Sequence, residues 1–144
     1  MAVYATFVGV NTHADERIKE LTGAVADATA LWALFNDSIP EMQFNLLLNE
    51  TATTSNIKAS FQSHISDVSH DDTLLFFFAG HGSPDHHLVT HDTNRDDISG
   101  TSIPMDQLSE WLKGNQARTV VFLDCCFSGG ANARVLQDVP VSRS

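Results

Sequence analysis

Basic residues are scarce in this chain: 8 Lys and Arg stand against 18 Asp and Glu, a formal net charge of −10. That balance argues against nucleic acid as a partner, because phosphate binding needs clustered Lys and Arg. It argues equally against an anionic membrane surface, and it suits a cationic substrate better. Cysteine is scarcer still. Two in 144 residues exclude a disulfide-rich secreted scaffold. They are neighbours, Cys125 and Cys126, and adjacent cysteines seldom have the geometry for a bridge. A reducing, cytoplasmic setting is the expectation. Residues 1–6 carry no basic stretch of the kind that opens a secretory leader. The longest purely apolar run, residues 74–79, is far short of the ~20 residues of a membrane span. The expectation is a soluble protein whose 42 % hydrophobic content supplies one core.

What the chain does have is alternation. Residues 3–10 (VYATFVGV) are rich in β-branched and aromatic types and predict a strand. Val25, Ala28, Trp32 and Phe35 then recur at helical spacing. Residues 43–48 predict a second strand, and Ile57, Phe61, Ile65 and Val68 line one face of a second helix that Thr54 or Ser55 can cap. Residues 73–79 (TLLFFFA) are continuously apolar, which suits a strand buried on both faces. The polar stretch 83–102 predicts a loop with a short hairpin near residues 87–90. Pro104 and Gly114 bracket a third helix with Met105, Leu108 and Leu112 inside, and residues 119–124 (TVVFLD) predict a fourth buried strand. Trp32 and Trp111 lie on or beside helical stripes and read as core. The sum is an α/β fold: a mostly parallel sheet flanked by helices on both faces, an α/β/α sandwich.

In such sheets, sites form beyond the carboxyl ends of the strands. Two of those ends carry chemistry. The third strand runs into Gly80-His81-Gly82, and the fourth into Asp124-Cys125-Cys126 followed by Ser128-Gly129-Gly130. Neighbouring strands lie about 4.8 Å apart, so an imidazole and a thiol would face each other across the sheet edge. A thiol near pKa 8.5 is only a few per cent ionised at neutral pH, and an imidazole that takes its proton makes it a nucleophile. Backbone N–H groups in the glycine turns can hold an oxyanion. Alternation assigns the roles of the two thiols. Cys125 shares a face with Leu123 and belongs to the packing; Cys126 shares a face with Asp124 and is the expected nucleophile. The Asp124 carboxylate is then placed to receive a cationic side chain.

Residues 75–82 (LFFFAGHG) and 121–130 (VFLDCCFSGG) resemble the two catalytic motifs of caspase-like peptidases, of the metacaspase and prokaryotic type with Asp-x-Cys-x-Ser-Gly rather than the Gln-Ala-Cys of true caspases. Residues 7–11, 21–28 and 47–53 resemble the family's first strand, the opening of its first helix, and its second strand with the following cap. The resemblance implies a Cys-His dyad, with His81 as general acid/base and Cys126 as nucleophile. It places the oxyanion hole at the Gly82 and Cys126 N–H groups. It also implies a pocket for the residue before the cut lined by Asp27 and Asp124, hence cleavage after Arg or Lys, which two carboxylates can hold. Asp27 taken alone also fits a structural use, as an acid at the positive end of a helix.

A complete domain of this type has a second, smaller half. The reading is therefore a catalytic large subunit over residues 1–130 and a tail or interchain linker over 131–144, requiring a small-subunit half as partner, because the fourth strand would otherwise leave an unpaired apolar edge. Arg134 and Arg143 in the tail are candidate self-cleavage points. The implied function is a cysteine endopeptidase, a regulated bacterial stress or defence effector in the cytoplasm. It would act on a protein substrate with Arg or Lys before the cut, under the control of an activator protein, with no nucleic acid or membrane partner. The alternative is a catalytically inactive interaction module on the same fold. No cofactor or resident metal is implied: His81, Asp85, His86, His87, His91 and Asp92 match no zinc spacing and read as a solvated loop. Some metacaspases are activated by calcium, so Asp92, Asn94, Asp96 and Asp97 are retained as a loose calcium-type cluster, although the glycine and terminal glutamate of an EF-hand loop are missing.

Overall fold

A computed structural model describes residues 1–125 and the strand Arg134–Gln137. Strands β1 (Val3–Gly9), β2 (Gln43–Leu48) and β3 (Thr73–Ala79) alternate with helices α1 (Ala24–Ser38) and α2 (Thr54–Asp67). After β3 come a short strand β4 (His87–Leu88), a single helical turn α3 (Ile98–Thr101) and a short strand β5 (Ile103–Pro104). Helix α4 (Met105–Leu112), strand β6 (Arg118–Asp124) and strand β7 (Arg134–Gln137) complete the order. The main sheet runs β2-β1-β3-β6-β7, with the first four strands parallel and β7 antiparallel to β6.

The apolar run of β3 serves two cores at once. Leu75, Phe77 and Ala79 pack on one face with Ala24 and Ala28 of α1, flanked by Trp32 and Phe35. Leu74, Phe76 and Phe78 pack on the other with Ile57 and Phe61 of α2 and Leu108 and Leu112 of α4, with Trp111 at the margin. Period-2 alternation therefore reads as a continuous apolar segment once both faces are covered. The layers are α1, sheet, then α2 with α4. The stripe of α1 is set by Ala24 and Ala28 rather than by Val25, which lies only partly buried. On α2, polar residues share the buried face: Ser60 hydrogen-bonds Thr6 of β1 at 2.6 Å and Asn45 of β2 at 2.7 Å. His64 is buried beside them, and that burial lowers its pKa.

One glycine sets how closely α1 approaches. A Cβ at Gly9 would stand 2.8 Å from the Ala24 carbonyl oxygen and 2.9 Å from the Ala28 Cβ, both backbone or methyl contacts that cannot swing away. Gly9 thus lets the first turn of α1 rest on the carboxyl end of β1. Gly9→Ala is expected to lower Tm by roughly 5–10 °C through overpacking. Thermal unfolding followed by circular dichroism checks this, and an unchanged Tm would show that α1 can step back from the strand.

Two expectations are corrected here. The edge of β6 is not unpaired. Arg134–Gln137 lies antiparallel along it, with Val121 opposite Gln137 and Asp124 opposite Arg134, so the segment beyond β6 itself supplies ladder partners. The stretch 83–102 does turn back locally, with Gly82 bridging Leu88 just before the expected position, but it is not wholly solvated. His87–Leu88 also pairs with Ile103–Pro104 at the far end of the excursion. Thr90, Thr93 and Ser102 inside it are buried. Their hydroxyls replace a regular ladder: Thr93 donates to the Thr101 carbonyl at 2.9 Å and Ser102 to the Ile98 carbonyl at 2.5 Å. Side-chain to backbone bonds of this kind hold irregular chain without any periodic signature.

Candidate active site

The strand register brings two motif-bearing ends together. Ala79 of β3 lies opposite Asp124 of β6, and the Gly80 N–H donates to the Asp124 carbonyl at 3.2 Å. His81 therefore stands just beyond β3 at the point where the chain leaves β6 for Cys126. Cys126 lies outside the described residues, as do Ser128, Gly129 and Gly130. Cys125 is described: it is 5 % exposed and packs in the α2/α4 core with Val121 and Leu123.

His81 is anchored on both sides. Its carbonyl accepts from the Val89 N–H at 3.0 Å, and Gly82 pairs with Leu88 in an antiparallel bridge. The ladder bonds of that bridge run through Ser83 and Val89, so Gly82 is the non-hydrogen-bonded member and its own N–H is not used there. Gly80 serves by its small size rather than by a left-handed backbone: a Cβ would meet the Phe78 ring at 2.9 Å. Among the described residues the glycine with positive φ is Gly114, at the end of α4.

The His81 ring meets a backbone carbonyl, a feature no side-chain pattern announces. Nε2 lies 2.6 Å from the Lys19 carbonyl oxygen. A carbonyl accepts only, so Nε2 carries the proton and Nδ1 keeps the lone pair in the neutral ring. The segment that presents Lys19 is tied down at several points. The Leu21 N–H donates to the Asn11 carbonyl at 2.9 Å, and the Asn11 side chain caps α1 by accepting from the Ala24 and Val25 N–H groups. Arg17 pairs with Asp15 at 2.9 Å and, through Nη1, with both oxygens of Asp96. That network, with the Arg95 N–H, holds the Asp15 carboxyl well below the usual range and raises the Arg17 guanidinium. The loop after β1 is thereby latched to the excursion after β3.

Between those two segments lies an open cleft whose lining includes His81, Gly82, Ile18, Val89, Lys19 and Arg95. Its lining comes from the segments after β1 and β3. The acidic pair predicted from the sequence lies elsewhere. Asp124 is half-buried on β6; two residues earlier Phe122 packs on the α1 face, so alternation puts Asp124 on that face as well. Asp27 sits in the first turn of α1, exposed, above the same face. Both are thus at the carboxyl edge of the sheet on one side of it. The loop histidines and acids have structural partners: His87 meets the Ser102 hydroxyl at 2.8 Å and His91 the Thr12 carbonyl at 2.8 Å. Asp92 accepts from the Thr54 N–H, and Asn94 and Asp97 cap their own turns. Among the described residues, no group of three or more His, Cys, Asp or Glu is arranged to hold a metal ion, and no helix is long and apolar enough to cross a membrane.

Solved structures share this fold. A protein from Geobacter sulfurreducens superposes with a TM-score of 0.70 at 17 % identity, covering 88 % of this chain, and pro-sf-caspase-1 with 0.63 at 15 % identity, covering 99 %. The chain spans about half the length of each, 51 % in both cases. No curated protein matches it. The model of the family described as the caspase domain matches residues 2–143, and the chain accordingly belongs to that family, which is of cysteine-peptidase type.

Proposed function

We propose that the chain is the catalytic large part of a cysteine endopeptidase that cuts after Arg or Lys. One observation carries this: the in-register pairing of Ala79 with Asp124, which delivers His81 and the chain leading to Cys126 to the same point of the sheet edge. In this reading the Lys19 carbonyl holds the Nε2–H of His81, so Nδ1 accepts the Cys126 thiol proton. The thiolate attacks the substrate carbonyl carbon, and the oxyanion is held by the Gly82 and Cys126 N–H groups. Collapse breaks the C–N bond, with His81 returning the proton to the leaving amine. Water then hydrolyses the thioester, its proton passing to His81 and on to the thiol. Asp27 and Asp124 receive the basic side chain before the cut. The partner is a small-subunit half, supplied by a second chain or by a processed fragment, and the setting is a regulated cytoplasmic effector.

The test completes the chain with a small-subunit half and supplies peptides with Arg, Lys or Asp before the cut, with and without calcium. Hydrolysis of the Arg and Lys peptides and not the Asp peptide is expected. Preference for Asp overturns the specificity, and absence of turnover under every condition leaves an interaction module.

A further inference from the structure

A second histidine backs the first. His13, in the loop after β1, is 9 % exposed, and its ring lies against His81 with centroids 5.6 Å apart and planes at 37°. Its position is fixed from either side: the Thr12 N–H donates to the Asn49 side chain at 3.2 Å and the Ala14 N–H to the His91 carbonyl at 2.9 Å. Neither ring nitrogen of His13 has a hydrogen-bond partner among the described residues. Burying two orphan nitrogens is unfavourable, and a phenyl or leucyl side chain would fill the space without that cost. The fold bears that cost where, among the described residues, an imidazole packs against the ring of His81.

We propose that His13 is a positioning residue for His81: its ring sets the plane that keeps the His81 Nε2–H on the Lys19 carbonyl, and its polar face favours the protonated His81 ring. The inference rests on the peptidase reading for its consequence in catalysis, but the contact between the rings does not. The charged groups around His13 are His81, His91 and Asp15. Burial, then His81 and His91, oppose its protonation, and Asp15 favours it; the balance lowers its pKa to about 4. His13 is therefore uncharged at neutral pH. When His81 becomes an imidazolium, it lies against the π system of a neutral ring, a favourable contact of the cation–π kind. A positive charge on His13 at the same moment would repel it.

The test is histidine-ring NMR on the 144-residue chain, wild type against His13→Leu and His13→Phe, with thermal unfolding in parallel. Wild-type His81 is expected in the Nε2–H tautomer. In His13→Leu the protonated ring loses its polar neighbour, so the His81 pKa is expected to fall by about half a unit or more. His13→Phe keeps a ring face and the volume and is expected to fall between the two. In the completed enzyme, His13→Leu should lower kcat about tenfold at unchanged KM and move the acid limb of the pH profile to lower pH. A His81 titration and tautomer identical in all folded variants, with only Tm altered, overturns the proposal and makes His13 a core residue. If His13→Leu does not fold, an unchanged His81 titration in His13→Phe overturns it alone. A moved titration in a chain whose wild type hydrolyses nothing overturns the peptidase reading and leaves the coupling of the two rings standing.

Discussion

Cys126→Ala is expected to abolish peptide hydrolysis, a loss of about four orders of magnitude or more, while Cys125→Ala keeps activity within a few-fold. The two thiols differ by one residue and by one face. Cys125 is 5 % exposed among Val121 and Leu123, in the core that α2 and α4 close. A thiol enclosed in a core is a small hydrophobe that no substrate carbonyl can reach. Its truncation leaves a small void and lowers stability by about 1 kcal/mol. In the sequence, alternation assigns Cys126 to the face of Asp124 and not to that of Cys125. Removal of a nucleophile removes the covalent intermediate itself, so no partial activity through the dyad survives. Alkylation with a peptide chloromethyl ketone followed by mass spectrometry gives a second readout, with the adduct on Cys126. Loss of turnover in Cys125→Ala with activity retained in Cys126→Ala would falsify the assignment of the nucleophile.

The sheet was legible because its signals are local and redundant. The bounds of β2 and β3 coincide with the expected residues 43–48 and 73–79, since each segment is a compact block of strand-forming types between breakers. Helix α1 was legible as a helix but not in its contact residues. Ala24 and Ala28 face the sheet because Gly9 lets the helix come close, and that closeness depends on a residue far away in sequence. The β4–β5 ribbon was illegible for a related reason. Its two partners are separated by a polar excursion held by threonine and serine hydroxyls, which leave no period to read. In the site, His81 stood out between glycines, whereas the Lys19 carbonyl could not, because a backbone acceptor carries no identity in the side chain above it. Asn11 caps a helix more than ten residues downstream, beyond the reach of any local capping pattern. His13 is illegible in the sequence because a single histidine after a strand has no signature until the fold lays it on another ring.

Charge at the pocket for the residue before the cut carries the second large effect. Asp124→Asn is expected to lower kcat/KM for an Arg peptide by about 10²–10³-fold, the range for removing one partner of a desolvated charge pair. Asp27→Asn is expected to cost about tenfold. The ranking follows from placement. Asp124 is half-buried on β6, on the face that α1 covers, so a guanidinium drawn to it sheds water and interacts through a lower dielectric. Asp27 is exposed in the first turn of α1, where solvent and salt screen an ion pair and measured exposed pairs contribute little. The asparagine variants keep shape and hydrogen-bonding atoms, so the change reads charge rather than packing. The informative quantity is the ratio of kcat/KM for an Arg peptide to that for its neutral citrulline isostere. That ratio should collapse in Asp124→Asn, shrink modestly in Asp27→Asn, and fall further with added salt for the Asp27 contribution than for that of Asp124. A ratio unchanged in both variants removes these carboxylates from the pocket, and a larger loss in Asp27→Asn than in Asp124→Asn reverses which of them meets the substrate in a dry environment.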